Sequence, residues 1–141
     1  MAAMVSFRSV VDPVDCDFLG HMNVSRYFAA CSDGVFAIKS EMGLTASDMR
    51  TGRRLSFAVV NAQSDFKAEL SAGDAIRLET SITAIGSKSI TFRHRLFRVE
   101  GDKIAFETEF KCVMLNLETR RAADIPEDVR VKAKEWLEIK S

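Results

Sequence analysis

No stretch of the chain approaches the roughly 20 apolar residues that a membrane-spanning helix needs, so no membrane partner is expected. Nor is there an excess of charge of either sign: 20 basic residues balance 20 acidic ones, for a formal net charge of zero. A neutral chain neither recruits nucleic acid nor steers anions from a distance, so nucleic acid is not an expected partner and any anion must be held locally. The cations available for that are Arg53, Arg54, Lys88, Arg120 and Arg121, each of which alone reads as a solvated surface charge. The three cysteines, Cys16, Cys31 and Cys112, are odd in number and widely spaced, which fits reduced thiols better than a disulfide framework. With only two histidines to join them, no metal site is expected. Met1 to Arg8 holds no basic segment followed by an apolar run of secretory length, so a cytoplasmic location is expected. There is no internal repeat and no low-complexity tract. What remains is 141 residues at 47% hydrophobic composition, enough for a single domain, residues 1–141, with one core.

The residues that are present fall into clear periods. Val5, Phe7, Ser9 and Val11 alternate with Ser6, Arg8 and Val10, a first strand that Asp12-Pro13 ends. Val24, Tyr27, Phe28, Cys31, Val35, Ile38 and Met42 fall on helical spacing, with Asn23 placed as an N-cap and Gly43 as a stop, so a helix of about five turns is predicted. Its other faces carry Phe36 and many small residues, so little of it is expected to meet water and its backbone is expected to pack closely. A polar link around residues 47–54 precedes four strand-like segments at about 55–66, 74–85, 89–99 and 103–117. The turn signals between the last three are short, which implies antiparallel neighbours. Pro126-Glu127-Asp128 opens a final amphipathic helix with acids first and lysines last. One apolar helix and one long-stranded antiparallel sheet make an α+β chain in which the sheet curls around the helix.

Chemistry concentrates just before the long helix, in Asp15-Cys16-Asp17-Phe18-Leu19-Gly20-His21-Met22-Asn23. A helix N-terminus carries roughly half a unit of positive charge on unpaired N–H groups, which favours an ionised carboxylate and any oxyanion formed beside it. Asp17 can equally begin a turn or cap the helix. His21 can position a substrate, hydrogen-bond Asp17 or fill the helix entry, and Asn23 reads as a cap that also reaches substrate. His94 alternates with Ile90, Phe92 and Leu96 and reads as a core imidazole.

The run Asp15-Cys16-Asp17-x-x-Gly20, the helix after it and the four long strands resemble the hot-dog-fold acyl-CoA thioesterases of the 4-hydroxybenzoyl-CoA type. Gly20-His21-Met22-Asn23 with Tyr27 is similar to a variant found in some members. The resemblance implies a hot-dog fold: a central helix wrapped by a curved five-stranded antiparallel sheet, with a C-terminal helix. It implies hydrolysis of an acyl-CoA to a carboxylic acid and free coenzyme A, without a cofactor, in a homodimer or homotetramer whose sites lie between protomers. By the same resemblance Asp17 is nucleophile or general base, and Asn23 or Val24 supplies the N–H that polarises the carbonyl. Tyr27, Lys88, Ser89, Arg120 and Arg121 are implied as contacts to substrate or coenzyme. Another branch places its catalytic carboxylate on the helix, which makes Asp33 the backup. The hydratases of this fold carry Asp and His five residues apart around a proline, unlike Asp17 and His21. A non-catalytic acyl-binding module and a thioesterase acting on acyl-carrier protein are the competing functions.

Overall fold

The computed structural model describes residues 3–138. Strand β1 (Ala3–Val10) leads through a single 3-10 turn at Pro13–Asp15 to helix α1 (Val24–Glu41), then a short helix α2 (Ala46–Thr51). Four strands follow, β2 (Leu55–Phe66), β3 (Ala75–Ile85), β4 (Ser89–Arg98) and β5 (Lys103–Asn116), and then helix α3 (Glu127–Ala133). All strand pairs are antiparallel and the sheet runs β1-β3-β4-β5-β2. This is the α+β hot-dog arrangement that the resemblance implies, with α1 lying against β1, β3 and β4.

The strand bounds follow the period-two pattern to within a residue or so, because alternate residues of β3, β4 and β5 are the buried ones. The polar link expected around residues 47–54 holds α2 instead. Thr45 caps it by accepting from the Asp48 N–H at 3.2 Å, and it buries no residue, so no apolar period announces it. Helix α1 begins where the sequence placed its cap: the Asn23 side chain accepts from the Ser25 N–H at 3.0 Å. At the other end Gly43 takes a φ of +95°, a left-handed conformation that glycine adopts without strain.

Close packing of α1 rests on Gly34, whose missing side chain leaves room for Leu78, Ser6 and Thr80; a Cβ there would sit 2.6 Å from Leu78 Cδ2. The helix is nevertheless not wrapped on all sides within this chain. Val24 and Phe36 are both about half exposed, against the expectation that little of it meets water.

Lys39 occupies a stripe position four residues after Val35 and is 1% exposed. Its Nζ donates to Ser56 Oγ at 2.7 Å and lies 3.9 Å over the Phe36 ring. Burial pushes its pKa down to about 8. The folded state therefore binds this proton less tightly than the unfolded chain, a cost that is full below pH 8 and relieved as pH rises toward 10.5. Lys39→Met is expected to stabilise the fold at pH 7 by about 2 kcal/mol, allowing for the lost hydrogen bond. Thermal melts at pH 7 and pH 10 check this: the gain should shrink at the higher pH, and equal gains at both would reject the buried-charge explanation.

Candidate active site

The segment between the 3-10 turn and α1 folds on itself as a miniature hairpin. Cys16 and Met22 face each other in an antiparallel bridge, the Asp17 N–H donates to the His21 carbonyl at 3.1 Å, and the Gly20 N–H donates back to the Asp17 carbonyl at 2.9 Å. Gly20 turns with a φ of +83°, which a residue with a Cβ would adopt only under strain even though the space around it is open. The Asn23 N–H ties this hairpin to the Asp15 carbonyl at 2.9 Å, and Asp15 in turn pairs with Arg26 Nε at 3.1 Å.

Asp17 is held at both oxygens. Oδ1 accepts from the Leu19 N–H at 2.9 Å and Oδ2 accepts from Asn23 Nδ2 at 3.0 Å. The Asn23 amide first, and the Leu19 N–H after it, hold the carboxyl below the usual aspartate value, so the group is a carboxylate throughout the neutral range. Asn23 thus has two tasks, because its Oδ1 caps α1 while its Nδ2 orients Asp17. Of the two backbone donors offered by the sequence, the Asn23 N–H is occupied by Asp15. The Val24 N–H has no acceptor among the described residues, and it is the first N–H of the helix, where the backbone dipole is positive.

Asp17 and Val24 line a cleft of about 400 Å³ together with His21, Tyr27, Phe66 and Glu69, among others. Its floor is aromatic. Tyr27 is 4% exposed and meets Phe66 edge-on at 5.3 Å and Phe106 at 5.2 Å, and burial raises its phenol pKa. His21 does not reach Asp17; its Nε2 pairs with Glu69 Oε2 at 2.8 Å, closing the cleft from the segment after β2. A carboxylate fixed at two points, an unclaimed helix N–H and an apolar wall between them can bind an acyl group and develop charge on its carbonyl oxygen.

The sequence matches the thioesterase-like superfamily over residues 11–133. The chain belongs to that superfamily. As a member of it, the protein is an enzyme of the thioester-hydrolase class. No curated protein sequence matches it. Among solved structures it superposes on a Staphylococcus aureus protein in complex with CoA at a TM-score of 0.88 and 19% identity, covering 100% of this chain and 90% of that one. It superposes on a 1,4-dihydroxy-2-naphthoyl-CoA thioesterase from Synechocystis at 0.79 and 17% identity, covering 92% and 95%. For a probable thioesterase from Escherichia coli the values are 0.77 and 15%, covering 96% and 100%. At such identities the likeness is one of fold.

The other residues singled out in this thioesterase-like chain lie elsewhere. Lys88 and Ser89 stand at the start of β4, where Ser89 faces Val113, and Arg120 and Arg121 lie in the turn after β5, the backbone of Arg121 bonding to Asn116 at 2.9 Å. Phe66, in the cleft, faces Phe106. The two groups are thus seven residues apart along β5, about 23 Å. Asp33 is exposed on another side of α1, in a smaller cleft of about 180 Å³ with Asp15 and Arg26. His94 is fully buried, its Nδ1 2.8 Å from Thr80 Oγ1, and burial pushes its pKa down to about 3. Arg53 is spent on Asp48 and Asp128 at 3.1 and 2.9 Å. Among the described residues no group of histidine, cysteine and carboxylate side chains stands together to hold a metal ion, and no helix is long and apolar enough to cross a membrane. Glu69 and Phe66 had no local signal in the sequence, since only the return of β2 brings them to the cleft.

Proposed function

We propose that the chain works as one hot-dog domain that hydrolyses an acyl-CoA thioester to a carboxylic acid and free coenzyme A. The observation that carries this is Asp17, held ionised by Asn23 and Leu19 beside the unclaimed Val24 N–H at the mouth of an apolar cleft. The acyl group lies on Tyr27 and Phe66 with its carbonyl oxygen toward the Val24 N–H. Asp17 either attacks the carbonyl carbon, expelling the coenzyme A thiolate and leaving a mixed anhydride that water cleaves, or takes a proton from the water that attacks directly. In both routes negative charge develops on the carbonyl oxygen, where one oriented donor contributes roughly 3 kcal/mol. His21, drawn toward Glu69, borders the acyl group and does not relay protons to Asp17.

The coenzyme A end of the substrate is assigned to Lys88, Ser89, Arg120 and Arg121. Their separation from Asp17 supports a homodimer or homotetramer in which the cationic end of one protomer serves the cleft of another. Phe18 and Leu19, exposed at the hairpin tip, offer apolar surface for that contact. The Staphylococcus aureus protein of the same fold, solved with CoA, supports a CoA thioester as the ligand class. The balanced charge argues against an acidic carrier protein as acyl donor.

Free-thiol release from a panel of aromatic and aliphatic acyl-CoA compounds tests the activity, and release from none of them would leave an acyl-binding module. Light scattering at micromolar concentration tests the assembly, which a stable and active monomer would overturn. Replacing Arg120 and Arg121 together is expected to raise KM several-fold with kcat little changed, because contacts to remote phosphates bind ground and transition states alike. Unchanged KM and unchanged salt dependence would move the phosphates away from this turn.

A further inference from the structure

The last residues of β5 gather more basic groups than those already assigned. On one side the Met114 N–H donates to the Lys88 carbonyl at 2.7 Å; on the other the Leu117 N–H donates to the Arg54 carbonyl at 2.9 Å. Between them the Asn116 N–H donates to Arg121 and the Arg120 N–H donates to Asn116, at 2.9 and 2.8 Å. Neighbouring strands are about 4.8 Å apart and Met114 and Leu117 about 10 Å apart along β5, so the backbones of Lys88 and Arg54 lie about 14 Å apart, with the Arg120–Arg121 turn at the strand end between them.

The Arg54 side chain has no hydrogen-bond or ion-pair partner among the described residues. Its neighbour Arg53 is tied to two carboxylates, whereas Arg54, Arg120 and Arg121 form no ion pair among the described residues, and Lys88 only approaches Asp124 at 3.9 Å. The Arg54 Nε is buried and meets no acceptor among the described residues. Its backbone carries a second sign. Arg54 and Arg120 take φ values of +56° and +62°, left-handed conformations that strain any residue with a Cβ and that glycine would adopt freely. Each conformation is fixed by a turn, the Arg54 N–H donating to the Asp48 carbonyl at 3.1 Å and the Arg120 N–H to the Asn116 carbonyl at 2.8 Å, so two arginines without a carboxylate partner among the described residues are held at one sheet end.

We propose that Arg54 is a further coenzyme-binding residue, the third arginine of a cationic rim that grips the phosphates of the coenzyme A nucleotide. The inference rests on the acyl-CoA reading above and names one more residue of that site. A planar guanidinium presents two parallel N–H donors to a phosphate, so Arg54 and Arg121 hold one phosphate group from opposite sides of the β5 end while Lys88 supplies a point charge beyond it.

The test uses Arg54→Gly, which relieves the strain as it removes the guanidinium, and Arg54→Lys, which keeps the charge without the fork. Calorimetric titration with adenosine 3′,5′-bisphosphate reads the phosphate site without any turnover. Acyl-CoA and the matching acyl-N-acetylcysteamine thioester, which lacks the nucleotide, are compared in hydrolysis. Arg54→Gly is expected to raise the bisphosphate Kd and the acyl-CoA KM about fivefold each, with kcat, the truncated thioester and the melting temperature unharmed. Arg54→Lys should recover part of the loss. An unchanged Kd, or equal losses on both thioesters, overturns the assignment. Failure of the wild type to hydrolyse either thioester would sink the thioesterase reading, and the bisphosphate titration would still decide Arg54.

Discussion

Asp17→Asn is expected to lower kcat at least a hundredfold while the protein stays folded, because an amide neither attacks a carbonyl nor takes a proton. The substitution carries a second penalty specific to this site. With its oxygen still facing the Leu19 N–H, the new Nδ2 would point at Asn23 Nδ2, donor against donor. Turning Asn23 around relieves that clash only by removing the oxygen that caps α1 at Ser25. Steady-state rates on the best acyl-CoA, with circular dichroism as a check on folding, decide the matter, and full activity would end the assignment. Asp33→Asn is the control: should it be the inactive variant, the helix-carboxylate branch becomes the right comparison. The pH profile adds a sign. Asp17 titrates below the ordinary aspartate value of 3.8, so activity depending on its ionised form is lost only as pH falls through that lowered value. A limb between about pH 5 and 8 would belong to some other group.

Phe106→Ala should bring the largest loss of stability, about 4 kcal/mol, lowering the melting temperature by about 10 °C or more. Phe106 is fully buried on β5, with its ring 5.2, 5.5 and 4.8 Å from those of Tyr27, Phe28 and Phe66. Truncation leaves three aromatic neighbours around a void that rigid rings close poorly. Since two of them, Tyr27 and Phe66, floor the cleft, weaker acyl-CoA binding should accompany the loss. Differential scanning calorimetry checks the first effect and KM the second. A loss below about 1 kcal/mol would mean that the aromatic layer collapses to fill the gap.

Local features were legible in the sequence, and long-range ones were not. The β2, β3, β4 and β5 bounds and the Asn23 cap are written in alternation and in single side chains, so they could be read within a few residues. The pairing of β1 with β3 and of β2 with β5 was not, because it is set by which edges remain after the β3-β4-β5 meander closes. The same division runs through the site. Asp17, His21, Asn23 and Val24 are sequence neighbours and were singled out together, whereas Glu69, the partner of His21, comes from beyond the far end of β2. Lys39 was hidden differently: a stripe position filled by a lysine looks like a break in the period, and only the wall provided by Ser56 and Phe36 makes it part of the interior.

The carboxylate, the amide that aims it and the helix N–H beside it all lie within eight consecutive residues, Asp17 to Val24, locked by hydrogen bonds internal to that hairpin and its cap. The far wall of the cleft, Phe66 to Glu69, comes from β2 and the segment after it, and Tyr27 from α1 completes the floor. The fixed carboxylate and the far wall of the cleft are therefore carried by separate segments of the chain. A substitution at Phe66 is expected to reshape the cleft without disturbing the two hydrogen bonds that hold Asp17, whereas one at Glu69 also releases His21 from its partner.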